Sequence, residues 1–208
     1  MSDSQIKFKF NPQKSANAAH ALLEMAGGVL NYMVLIKLLY LADREALITL
    51  ESPITGDQFT SLQYGPVLSR ILNLVRWGPI NENDSPWFDV VSAPIGYEVK
   101  MIGKPLESVL SGAEEKILSS VFREFGRKSW QELSRLTHQL PEWTDNPAAG
   151  AIPISPEQIL LLAGKSQDEV RELRDELIAL EKLDREAAAF AGMELEEARL
   201  PATQAGAL

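Results

Sequence analysis

Lys37 interrupts an otherwise apolar stretch from Tyr32 to Ala42, and it is the first residue here whose setting could carry chemistry. A lysine so placed either snorkels or pairs its charge, or ties its segment to the Thr55–Tyr64 loop and shapes a surface for a partner. An amine nucleophile would need a depressed pKa and a carbonyl substrate beside it, and no neighbouring motif supplies one. Asp43 and Asp57, if brought together, could act as general acid and base or share a Mg²⁺ ion. The plainer reading of Asp43-Arg44-Glu45 is a charged helix end facing water. Gln63-Tyr64-Gly65-Pro66 is too poor in glycine to cradle a phosphate. Its Tyr64 either packs beneath a helix-entry turn or anchors an interface. His138, just before Pro141-Glu142-Trp143, suits the C-terminal cap of a helix. Serines are common, but no nucleophile-elbow motif is present. With no Cys, and only His20 and His138, the chain excludes disulfides, thiolate metal sites, a thiol nucleophile and a His-rich metal centre. No catalytic residue, metal or cofactor is expected.

The elements that must position these residues are mostly helical. Asn11-Pro12 opens a helix that should run to about Ala26 and stop at Gly27-Gly28. Asn31 to Leu50 reads as a second helix, apolar on nearly every side to Ala42 and therefore central. Its Asp43-Arg44-Glu45 end is expected in water. Glu51 to Gly65 reads as a loop with short extended pieces, and Gly56 as a turn residue. Pro66 suits the first position of a third helix, ending at Gly78-Pro79. Asn81 to Pro86 reads as a polar turn. Phe88–Val91 and Tyr97–Ile102 look like two strands of one small hairpin, the single clear β signal. Three capping boxes, Ser111 with Glu114, Ser129 with Glu132 and Ser166 with Glu169, open later helices. These should cover Gly112–Phe125, Trp130–His138 and a final helix to about Leu200 with a break at Gly192. A shorter helix opens at Ser155-Pro156 and stops at Gly164. The fold class is mainly α: a compact helical domain with one small β-hairpin and a C-terminal acidic helix.

The chain has 208 residues, 20 Lys and Arg, 29 Asp and Glu, and a formal charge of −9. Between Asp168 and Arg199 eleven acids face five bases, so most of the acidity is local. Val170, Leu173, Leu177 and Leu180 recur there in steps of three and four. That stripe either packs on its own domain or meets a partner or a second copy, with Glu172, Asp175 and Glu176 steering a basic surface. Bulk acidity disfavours nucleic acid. Lys100 to His138 carries a basic excess of only two, with no exposed basic helix-turn-helix. No stretch is long and apolar enough for a signal peptide or membrane span. The expectation is a cytoplasmic protein.

Lys37-Leu38-Leu39-Tyr40-Leu41-Ala42-Asp43-Arg44, then Pro53-Ile54-Thr55-Gly56-Asp57, then Leu62-Gln63-Tyr64-Gly65-Pro66-Val67 form an ordered set. With Thr137-His138-Gln139-Leu140-Pro141-Glu142-Trp143, it resembles the Panacea domain, also called the SocA-like antitoxin or phage-associated GepA-like family. The resemblance covers roughly Ala16 to Trp143. It sets residues 1–155 as the family domain and 156–208 as a helical extension, whose tail from Pro201 should be mobile. It implies a mostly helical, non-enzymatic antitoxin, encoded beside a toxin gene, that neutralises a cognate toxin by protein–protein contact. Toxins that bind RNA or nucleotides are often basic, which an acidic shield would suit. One member of the family is instead an adaptor that hands its toxin to the ClpXP protease. The Ala205–Leu208 tail would be the second surface such an adaptor needs. A repressor of its own operon is the third reading. The candidate toxin-binding residues are Lys37, Tyr40, Asp43, Asp57, Tyr64, Glu172, Leu173, Asp175, Leu177 and Leu180. Gly56, Gly65, Pro66, His138 and Trp143 are expected to be structural.

Overall fold

A computed structural model of the chain describes residues 5–79, 81–105, 107, 109–145 and 150–197. The first helix, α1 (Pro12–Met25), starts where Asn11 accepts the Lys14 N–H at 3.0 Å and Pro12 occupies the first turn. Gly27 and Gly28 follow with φ of +80° and +92°, a region glycine enters without a Cβ clash. They reverse the chain into strand β1 (Val29–Asn31), and the Asn31 side chain caps α2 (Tyr32–Leu50). As its all-round apolarity predicts, α2 is the centre of the fold. It is buried without interruption from Val34 to Asp43 and packs against α1 and the later helices α5 (Gly112–Phe125), α6 (Trp130–Thr137) and α7 (Pro156–Leu162). The C-terminal half of α2 departs from the expectation at one residue: Asp43 is completely buried, while Arg44 is half-buried and Glu45 is exposed.

The mainly helical class is borne out, but the strands lie elsewhere. Phe88–Val91 does not form a strand. Asp84 and Pro86 favour a helical turn, α4 (Ser85–Phe88), behind a 3₁₀ turn at Glu82–Asp84. Val90 and Val91 are both fully buried, which strand alternation on a one-sided hairpin would not allow. A single bridge, Val91 to Met101, remains of that pairing. The other half contributes β4 (Glu98–Lys100), antiparallel to β1 with Val29 opposite Lys100.

A second sheet has the order β3-β2-β5, with β2 (Phe59–Ser61) central between β3 (Val67–Leu68) and β5 (Ile152–Pro153). Pro66 therefore precedes a strand, not a helix. Helix α3 (Ser69–Trp77) begins three residues later because Asp57, from the preceding loop, accepts the N–H groups of Arg70 at 3.0 Å and Ile71 at 2.8 Å.

All three capping boxes form as their spacing predicts. The last opens α8 (Gln167–Glu197), which is helical through Gly192 without the expected break. Leu200 and the Pro201–Leu208 tail lie outside the described residues. The chain separates into two compact units, Met1–Lys165 and Ser166–Leu208. No helix among the described residues is long and apolar enough to cross a membrane.

Candidate functional site

Lys37, Tyr40 and Arg44 follow one another at i, i+3 and i+7 along α2, so they share a face. The Lys37 ammonium is 1% exposed and donates to the Pro66 carbonyl at 2.8 Å. Burial without a nearby acid pushes its pKa down to about 7. The Tyr40 hydroxyl donates to Glu142 Oε1 at 2.8 Å, and its ring meets Phe59 edge-on at 5.7 Å. Burial first, then the Glu142 carboxylate, drives the phenol pKa upward, so Tyr40 stays a neutral donor. Arg44 completes the group. Its Nε lies 2.6 Å from Glu142 Oε1, and a second guanidinium nitrogen lies 3.3 Å from Oε2. Glu142 is thereby clamped to two turns of α2 at once.

A second buried group hangs from the next face of α2. Asp43 accepts the Thr55 N–H at 3.0 Å and the Thr55 hydroxyl. Thr55 Oγ1 in turn accepts the Asp57 N–H at 3.1 Å. Asp57 then caps α3 and accepts the Gln58 N–H at 2.6 Å. Burial is the leading influence on both acids. It raises Asp43 to about 7 and raises Asp57 against the pull of three backbone N–H groups. Gly56 sits between them at φ +66°, where a Cβ would fall 2.2 Å from the Lys9 carbonyl oxygen. The two carboxylates are occupied by Thr55, by one another's loop and by α3, so the geometry serves to fix a loop.

The far end of that loop is held from α6 and the turn after it. Ser134 Oγ donates to the Tyr64 carbonyl at 3.0 Å, and Trp143 Nε1 donates to the Leu62 carbonyl at 3.0 Å. His138 is the residue that ends α6, and its ring stacks on Trp143 at 4.0 Å. Burial, and then the Lys37 charge, lower its pKa from the ordinary imidazole value. Gly65 fills the gap beneath. A Cβ there would lie 2.5 Å from Thr137 Oγ1 and 2.7 Å from Lys37 Nζ. Above this floor the Tyr64 side chain is 53% exposed, edge-on to Trp130 at 6.1 Å.

The structure thus brings Lys37, Tyr40, Asp43, Asp57, Gly65, Pro66, His138 and Trp143 into one inward-facing network, with Tyr64 at its outer edge. Glu172, Asp175, Leu173, Leu177 and Leu180 belong to α8 in the other unit, where Glu172, Asp175 and Leu180 are exposed. Glu142, Arg44 and Thr55 are the network members that reasoning from sequence did not single out as site residues. The Pro-Glu-Trp ending and the acid–base pattern of 43–45 were the available signals. Trp130, the aromatic neighbour of Tyr64, had none beyond its place at the start of α6. Among the described residues no group of three or more His, Cys, Asp or Glu is placed to hold a metal.

A family model described as antitoxin SocA-like, Panacea domain, matches residues 35–144, more than half of the chain. The matched stretch begins two residues before Lys37 and ends one after Trp143, so it contains the whole network. No curated protein and no solved structure matches the chain.

Proposed function

The chain belongs to the SocA-like Panacea antitoxin family, and from that premise we propose that it neutralises a cognate protein toxin by binding it directly. Family membership supports the toxin-directed half of this reading. The direct-binding half rests on one observation. Within the matched stretch Lys37, Asp43, Asp57 and Glu142 turn inward and fix a loop, and Tyr64, carried on that loop, keeps its ring exposed. A large aromatic on an immobilised loop loses little side-chain freedom on docking, which is what interface anchors need. In this reading Lys37, Tyr40, Asp43 and Asp57 position the surface, and Tyr64 with Trp130 forms it.

Co-expression with the product of a neighbouring toxin gene tests the proposal. Wild-type chain should restore growth and co-purify with the toxin in fixed stoichiometry. Tyr64→Ala should fold normally and bind about tenfold or more weakly, the usual effect of losing an aromatic anchor. Rescue that vanishes when the cell's protease is blocked, with no stable complex, would instead establish an adaptor.

A further inference from the structure

The α8 helix carries an exposed apolar strip that the loop described above does not use. Leu177, Leu180 and Leu183 follow at i, i+3 and i+6, with Leu180 50% and Leu183 60% exposed. Glu176 precedes Leu180 by one turn, Asp184 follows it by one turn, and Glu172 extends the same edge. Charge is divided unevenly around the helix. All four bases of α8 pair with acids of the helix itself: Arg171 with Asp168, Arg174 with Asp175 at 4.0 Å, Lys182 with Glu186 at 3.8 Å and Arg185 with Glu181 at 3.3 Å. Glu172, Glu176 and Asp184 are exposed and have no ion pair among the described residues. The uncompensated acids therefore border the leucines, while the bases lie toward the opposite side.

We infer that this strip docks a basic, amphipathic protein surface, most simply a helix with Lys or Arg flanking its own apolar stripe. Charge complementarity selects this occupant over the others. A second copy would set Glu172, Glu176 and Asp184 against the same acids, and like charges in close register repel. Nucleic acid and anionic lipid surfaces are repelled for the same reason. The inference rests on the antitoxin reading in one respect only: the toxin is the partner expected to present that surface.

Two measurements separate the inference from the reading it extends. The full chain is first titrated with a synthetic helical peptide bearing Leu on one face and Lys on the other. Glu172→Gln, Glu176→Gln and Asp184→Asn together should weaken binding about tenfold at low salt, a difference that disappears at high salt. Leu180→Asp with Leu183→Asp should weaken it about tenfold or more at both. Equal binding by all three proteins would overturn the inference. So would a wild-type dimer in sedimentation that Leu180→Asp dissolves. The same variants are then tested against the toxin. Unimpaired neutralisation by both would remove α8 from the interface and leave the antitoxin reading standing. Peptide binding that obeys the predicted pattern, from a chain that neutralises no toxin, would keep the docking strip and remove the antitoxin.

Discussion

Lys37 and Asp43 lie six residues apart on one helix and should tilt the stability of the protein in opposite directions with pH. Asp43 has a folded pKa near 7, above the ordinary carboxylate value of 3.8. Between those values the folded state holds the extra proton, so stability falls as pH rises through that window. Lys37 has a folded pKa near 7, below the ordinary 10.5. From about 7 to 10.5 the unfolded state holds the extra proton, so stability rises with pH. Denaturant titrations across pH should therefore lose the acid-side slope in Asp43→Asn and the alkaline slope in Lys37→Met. Identical pH profiles for wild type and both variants would contradict the burial of these charges. Gly65→Ala offers a second test at this scale. A φ of +92° and contacts of 2.5 and 2.7 Å leave no room for a methyl group, and the expected cost is about 1–3 kcal/mol in unfolding free energy. The residue types were legible before the fold, but their burial was not. Asp43-Arg44-Glu45 reads as a solvated helix end because the acceptor role of Asp43 is created by Thr55, twelve residues away and across a turn.

Elements set by local rules were the readable ones. Asn11-Pro12 and the three capping boxes place both partners within three residues, so the spacing alone announces the helix start. The sheets join segments far apart in the chain. Val29 pairs with Lys100 and Thr60 with Pro153, and no local pattern marks either strand as the other's partner. The third helix shows the same division. Its periodicity was visible, but its start is fixed by Asp57 from an earlier loop. Asp57→Ala should strip the Arg70 and Ile71 N–H groups of their acceptor and lower stability by about 2 kcal/mol. Asp57→Asn should recover part of that loss, and thermal unfolding of the pair measures both. Glu142→Ala acts between elements. It removes the acceptor shared by Tyr40 and Arg44, and breaking such a buried pair costs about 3–5 kcal/mol.

Across the whole molecule, the buried polar groups belong to the first unit and the leucine strip bordered by acids belongs to the second. The matched stretch encloses Lys37, Asp43, Asp57, His138 and Glu142 and presents Tyr64, while the exposed, uncompensated acids Glu172, Glu176 and Asp184 border leucines on α8. This division suits a protein whose work is binding. The decisive experiment is calorimetric titration of the purified chain with the product of the adjacent gene as candidate toxin, alongside a toxicity assay on the same mixtures. Direct neutralisation requires a stoichiometric complex, loss of toxin activity in step with its formation and no need for a protease. Toxin that stays active in the presence of excess chain, or that is lost only when protease is added, would contradict it.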